Sequence, residues 1–274
     1  MPLPPPTETD ILAVAEIAVA AGQKIMEFYG GFDIAPTIEL KADDSPVTVA
    51  DRAAHDVIWQ GLEALGYGFP ILSEEGRAIP YAERQGWETF WLVDPLDGTK
   101  EFIRRTGSFA VNIGLVHQGY AVAGAIYQPV SQQLYYADHR GTYRRTPQGR
   151  TERLVLPAQP NLAHLRAVRS KGNFTPAEQQ SLDRLGVATT EPVGSALKYC
   201  LLAEGLADIY YRTSPNSEWD SAAGQAIIEH AGGRVLALEP GFPRFGYNKP
   251  SLINGGFICT GFAETNELTA RLGI

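Results

Sequence analysis

Phe90-Trp91-Leu92-Val93-Asp94-Pro95-Leu96-Asp97-Gly98-Thr99 is the stretch on which the reading of this chain turns. Phe90 to Val93 is an apolar run of the kind that forms a buried strand, and two carboxylates follow it three positions apart. Pro95 lacks an amide hydrogen and is expected to stop the strand, while Gly98 lets the backbone turn tightly. Carboxylates concentrated where a strand ends suit a hard, oxygen-seeking cation such as Mg2+. An Asp-Pro turn followed by an Asp-Gly turn would account for the same residues, so the segment alone leaves the two readings level.

Other acidic clusters tip the balance toward metal. Ser73-Glu74-Glu75-Gly76 follows the apolar Pro70 to Leu72, so a second strand ends in carboxylates. A glutamate pair before glycine would otherwise be an ordinary solvated loop. In Glu218-Trp219-Asp220-Ser221-Ala222-Ala223-Gly224, Asp220 is placed like the N-terminal cap of a buried helix continuing through Ala226 and Ile227. Capping is compatible with ligation through the outward oxygen. Asp43-Asp44-Ser45-Pro46-Val47-Thr48-Val49-Ala50-Asp51 adds an acid near another helix start, where Thr48 or Asp51 is expected to cap.

A chain of 274 residues is long enough for one large domain or two packed ones. With 44% hydrophobic and 20% charged residues it has the proportions of an ordinary soluble globular protein. The net charge of −8 argues against a nucleic-acid surface and would repel phosphorylated substrates unless cations intervene. Cys200 and Cys259 fall in helical and strand-like apolar patterns, which reads as two buried thiols in a reducing compartment. The start, MPLPPPTETD, lacks the features of a signal peptide, and no apolar run approaches the roughly 20 residues of a membrane span. A cytoplasmic protein is expected, with peripheral membrane contact left open.

Thr7 and Asp10 resemble a capping box before a helix carrying Ile11, Val14, Ala15, Ala18, Gly22, Ile25, Met26 and Tyr29, ended by Gly30-Gly31. A second amphipathic helix runs from Thr48 through Leu62 to Gly66. Phe69 to Leu72 and Phe90 to Val93 read as strands. Ser108 to Arg145 reads as a meander with a Gln118-Gly119 turn, so an antiparallel sheet with helices on one face is expected. Pro157 to Pro160 marks a plausible domain boundary. Beyond it, strands at 167–169 and 208–211 alternate with helices at 176–185, 196–205 and 220–231, an α/β pattern.

Taken in chain order, Pro46-Val47-Thr48 to Asp51, Glu74-Glu75, Asp94 to Thr99 and Trp219-Asp220 to Gly224 resemble the inositol monophosphatase superfamily of metal-dependent, lithium-sensitive phosphatases. Asp94 to Ile103, together with Gly194 to Cys200 and Ala203-Glu204-Gly205, is similar to its CysQ-type 3′(2′),5′-bisphosphate nucleotidase branch. The resemblance implies an α/β (α+β) fold, a five-layered αβαβα sandwich. An N-terminal domain, 1–156, would carry most metal ligands, and a C-terminal domain, 157–274, would contribute Asp220 and substrate-binding residues. It also implies two or three Mg2+ ions. Glu74, Asp94 and the Leu96 carbonyl would hold one, and Asp94, Asp97 and Asp220 a second. Asp51 would hydrogen-bond Thr99, so that Thr99 and Glu74 activate water. Gly98 and Thr99 would offer backbone N–H groups to the phosphate. Ser195, Lys198 and Arg212 would meet a small-molecule nucleotide, adenosine 3′,5′-bisphosphate or its sulfated form. Without the resemblance, Lys198 would be a solvated helix residue and Arg212 a surface ion pair. The loop Thr213 to Glu218 departs from the branch's usual Phe-Gly-Pro-Thr-Asn pattern. Inositol or fructose phosphates are the alternative substrates, and an inactive nucleotide-binding homologue is the alternative class.

Overall fold

The structure is a computed structural model that describes residues 9–30, 38–40 and 46–273. Thr7 of the expected capping box, Gly31, and Asp43, Asp44 and Ser45 lie outside the described residues. The first half runs α1 (Ile11–Tyr29), β1 (Ile38–Leu40), β2 (Pro46–Thr48), α2 (Val49–Ala64), β3 (Ile71–Ser73), α3 (Tyr81–Arg84), β4 (Thr89–Asp97) and α4 (Thr99–Ile103). The meander β5 (Ala110–His117), β6 (Tyr120–Gln128), β7 (Gln133–Asp138), β8 (Gly141–Arg145) and β9 (Thr151–Leu154) follows. The second half is β10 (Leu165–Ser170), α5 (Pro176–Leu185), β11 (Val187–Val193), α6 (Leu197–Ala203), β12 (Ile209–Arg212), α7 (Ala222–Ala231), β13 (Arg234–Ala237), β14 (Phe257–Thr260) and α8 (Asn266–Leu272).

Helix α1 starts where Asp10 accepts the Leu12 and Ala13 amides, at 3.0 and 3.3 Å. Asp10 is therefore the cap itself rather than the third helical residue of a box. In α2 the reciprocal box is complete, with Thr48 capping and Asp51 returning to the Thr48 backbone. Buried positions at three- and four-residue spacing in α1, and Ala50, Ala54, Ile58 and Leu62 in α2, form the apolar stripes that pair the two helices.

Strands β3 to β9 form one seven-stranded sheet in sequence order. All neighbours are antiparallel except β3 and β4, which run parallel. Trp91 and Val93 of β4 join the core under α1 and α2, whereas Phe90 and Leu92 join a second core shared with α6 and α7. Both faces of the sheet are thus covered, which corrects the expectation of helices on one face only. A continuous apolar strand is what two buried faces require. Strand β4 also continues through Pro95 to Asp97, contrary to the expected stop. Its pairing with β5 shifts register between Asp94 and Asp97, and β3 ends at Ser73 opposite Val93, so Pro95 meets no ladder position needing its missing donor.

The five-stranded sheet has the order β11-β10-β12-β14-β13. Its first three strands are parallel and its last two antiparallel to their neighbours. Helices α5 and α8 cover its outer face through Leu182, Leu185, Leu268 and Leu272. The order from outside to outside is α1/α2, sheet, α6/α7, sheet, α5/α8, the five layers expected.

Helix α7 approaches the large sheet over a glycine pair. Gly114 and Gly124 face each other across β5 and β6. A Cβ on Gly124 would lie 2.7 Å from Ala223 Cα, and one on Gly114 2.8 Å from Ala222 Cβ. The clash at Gly124 involves backbone, so neither partner can rotate away. Gly124→Ala is expected to cost about 1–3 kcal/mol in urea unfolding, the usual range for overpacking. A neutral result would mean that α7 can slide on the sheet.

Candidate metal centre and cleft

The acidic residues meet because three elements end at one place. The Glu74 amide donates to Val93 O at 3.0 Å, extending the parallel pairing of β3 and β4 so that Glu74 lies alongside Asp94. Gly76 N returns to Ser73 O at 3.0 Å and closes the turn. Asp220 arrives from the other half on a three-residue 3-10 turn, Glu218–Asp220, packed against β4 and β5. One carboxylate oxygen each of Glu74, Asp94 and Asp220 lie within 4.8 Å of one another.

Asp220 is not the cap of α7 as expected from sequence. Ser221 occupies that position, and Asp220 is the third residue of its own turn, accepting the Ser217 amide at 2.9 Å. This leaves one Asp220 oxygen for the cluster. Asp97, an expected fourth ligand, is not part of this trio, though its charge acts on Asp94 and Asp220. Its Oδ2 accepts from Asn112 Nδ2 at 3.2 Å, Ser195 Oγ at 2.9 Å and Ala196 N at 2.5 Å, tying β4 to the start of α6.

Burial and mutual repulsion dominate the electrostatics. Asp94 is 2% exposed, and burial followed by Glu74, Asp97, Asp220 and Asp51 holds its carboxyl well above the usual range. Burial, then Asp97 and Glu74, pushes Asp220 up to about 8. Carboxylates this close cannot all ionise unless a positive charge joins them. Their hard oxygen donors, Asp94 buried and Glu74 and Asp220 half-buried, fit a divalent cation.

Asp51 is buried, and desolvation raises its carboxyl against the opposing bonds from Thr48 and Thr99. Thr99 Oγ1 lies 3.1 Å from Asp51 Oδ1 and 3.3 Å from Leu96 O, so the Leu96 carbonyl faces the same small volume. Leu96 N donates to Asp94 Oδ1 at 3.1 Å. Gly98 adopts φ 93°, the left-handed geometry glycine accepts without strain, and begins α4. Since α4 has only five residues, its dipole is a weak anion-binding element.

A cleft of about 310 Å³ opens from Asp97 and Asp220. Lys100, Arg104, Lys171, Lys198 and Arg212 line it. Lys198 is buried: its Nζ donates to Ser195 O at 2.5 Å and Val193 O at 3.3 Å and lies 5.2 Å from the Tyr210 ring centre. It is not a solvated helix residue. Arg212 donates to Ser214 O, Pro215 O, Ser170 Oγ and Tyr210 Oη, none of them a carboxylate, so it is not a surface ion pair either. Ser195 joins the cleft with φ 57°, a left-handed conformation uncommon outside glycine.

Sequence reading passed over Asn112, Lys100, Arg104 and the Lys171-Gly172-Asn173 turn. Asn112 had one visible signal, a lone amide in an otherwise apolar strand. For Lys171 the signal was position, since it follows the carboxyl end of parallel β10, where ligands gather in α/β sheets.

Among the described residues, no helix is long and apolar enough to cross a membrane. Residues 7–272 match the model of the inositol monophosphatase family. A 3′(2′),5′-bisphosphate nucleotidase CysQ from Salmonella typhimurium is 44% identical over 256 residues, covering 90% of this chain and 98% of that protein. The solved CysQ from Bacteroides thetaiotaomicron, a bacterial member of the same family, has a TM-score of 0.79 at 39% identity, covering 93% and 97%. An inositol monophosphatase from Zymomonas mobilis has a TM-score of 0.75 at 27% identity, covering 99% and 100%.

Proposed function

The chain belongs to the inositol monophosphatase family, and from that premise we propose that it is a Mg2+-dependent 3′(2′),5′-bisphosphate nucleotidase. It removes the 3′-phosphate of adenosine 3′,5′-bisphosphate to leave AMP, and accepts the sulfated analogue as a second substrate. The carrying observation is that the three-carboxylate cluster adjoins, through Asp220, a cleft lined by five cationic side chains. Acids alone would repel a nucleotide phosphate, and cations alone would bind it without hydrolysis. The higher identity to the nucleotidases than to the inositol phosphatase favours the same substrate class.

Glu74, Asp94, Asp220, Asp97 and the Leu96 carbonyl are the residues that would hold two or three Mg2+ ions. When bound, the ions supply positive charge to the phosphoryl and leaving oxygens and lower the pKa of the attacking water. The Thr99 hydroxyl donates a hydrogen bond to Asp51, which leaves its lone pair to accept one from that water. Glu74 takes the water proton. Gly98 and Thr99 amides orient the phosphate from the turn entering α4. Within the cleft, Lys198, Arg212 and Ser195 receive the second phosphate and the sugar.

The test is phosphate release from adenosine 3′,5′-bisphosphate and inositol 1-phosphate by protein supplied with Mg2+. Faster release from the nucleotide is expected, with inhibition by Li+; equal or reversed rates would reject the nucleotide assignment.

Lys198→Ala probes the far subsite. A charge-assisted bond contributes about 1.5–3 kcal/mol, so KM for the bisphosphate is expected to rise roughly 10- to 100-fold, with nucleoside monophosphates little affected. Because Lys198 also holds the Val193 and Ser195 carbonyls, equal losses on both substrates would assign it to the loop instead.

A further inference from the structure

We propose that Glu218, Lys249, Asn254 and the Arg84–Asn248 bridge form a positioning network that fixes Asp220 opposite Glu74 and Asp94 and so sets the centre's affinity for its cation. The proposal rests on reading those three carboxylates as a metal centre.

Glu218 and Asp220 share one short turn but have separate partners. Glu218 is 0% exposed, and it accepts the Asn248 and Lys249 amides at 2.8 and 3.0 Å and the Lys249 ammonium at 2.9 Å. Asn248 adopts φ 61°, a left-handed conformation asparagine tolerates. Consecutive amides there converge on one carboxylate, as in an anion nest. The Lys249 ammonium also donates to Gly246 O and to Asn254 Oδ1, at 2.8 and 3.0 Å. Asn254 Nδ2 then reaches both ends of the turn, Ser217 O and Ser221 Oγ, each at 2.9 Å. Ser217 is the residue whose amide holds Asp220 Oδ2. An unbroken chain of polar contacts therefore runs from the ion pair to the cation ligand.

The same loop is tied to the Glu74 side of the centre. Arg84 ends α3, on the segment that follows Glu74, and is 2% exposed. Its guanidinium donates to Asn248 Oδ1 at 2.8 Å and Pro250 O at 3.1 Å, while Asn248 Nδ2 donates back to Arg84 O at 2.8 Å. The loop 248–254 thus holds the Asp220 turn and also clasps Arg84, on the first-half segment that follows Glu74. A buried ion pair is weak evidence for stability, since a well-packed apolar pair commonly does as well. Groups behind metal ligands, in contrast, commonly change affinity 10- to 100-fold when removed.

The experiment uses the full chain without substrate and reads Mn2+ binding by electron paramagnetic resonance, alongside melting of the metal-free protein. The variants are Glu218→Gln/Lys249→Met, which removes both charges together, and Asn254→Ala, which introduces no buried charge. The expected result is a Mn2+ dissociation constant raised about 10- to 100-fold in each. In turnover, more Mn2+ is needed for half-maximal rate, whereas kcat at saturating Mn2+ stays within a few-fold of the parent. An unchanged dissociation constant with a lowered melting temperature would overturn the proposal and leave the network a structural role. If the double variant does not fold, Asn254→Ala decides by the same measurement. Absence of Mn2+ binding by the parent would instead bring down the metal-centre reading, and the proposal with it.

Discussion

Asp94→Asn is expected to fold normally and to lose at least about a thousandfold in kcat. Cation stabilisation of phosphoryl charge is worth several kcal/mol, and each 1.36 kcal/mol is about tenfold in rate. Asparagine keeps the oxygen that accepts the Leu96 amide at 3.1 Å but removes the negative charge that would hold a cation. The loss should persist at high Mg2+, because a neutral amide at the buried member of the trio would hold a divalent cation far less well than a carboxylate. The metal-free variant should melt no lower than the parent, since one member of a mutually repelling group has become neutral. Initial rates across a Mg2+ series, with melting in EDTA, check both statements. A kcat within tenfold of the parent would remove Asp94 from the ligand set.

Stripped of divalent ions, the protein is expected to become less stable as pH rises from 5 to 8. Asp220 has a folded-state pKa of about 8, and Asp94 is displaced in the same direction. In the unfolded chain both ionise near the ordinary value of about 4. Across that interval the folded state binds more protons than the unfolded one, so the free energy of unfolding falls with pH. The contribution is fully present below about pH 4 and lost by the time pH passes the folded pKa. A pKa displacement of one unit corresponds to about 1.4 kcal/mol, and 1 kcal/mol moves Tm by about 2–4 °C in a chain of roughly this size. A fall of roughly 10 °C is therefore expected in EDTA, and Mg2+ should abolish most of it. Asp220→Asn should flatten the slope; a slope unchanged by both would show that the carboxylates do not share a charge-deficient site.

Elements whose patterns are local were readable. Helix α5 spans Pro176–Leu185 as read because Thr175, Pro176 and Glu178 write a complete start signal. Strand β11, Val187–Val193, escaped notice because it is an exposed edge strand, polar and containing Pro192, with neither alternation nor an apolar run. The candidate site divides in the same way. Residue types and order pointed to Glu74, Asp94 and Asp220, which the fold brings within 4.8 Å. The conformation of Asp220 was not legible, because its turn is held by Leu252 and Asn254, more than thirty positions away. Lys198 looked solvated because helical spacing does not reveal the left-handed Ser195, next to the two carbonyls that accept from it, and the Tyr210 ring comes only with tertiary packing.

The three bonds to Asp97 Oδ2 have a mechanical consequence. Ser195 and Ala196 grip this oxygen from one wall of the cleft, while Asn112 grips it from the sheet that bears Asp94. A hinge motion that parted those walls would have to unclasp the same carboxylate. Gaping of the two halves would therefore cost Asp97 its Ser195 and Ala196 bonds and leave it only the one from Asn112.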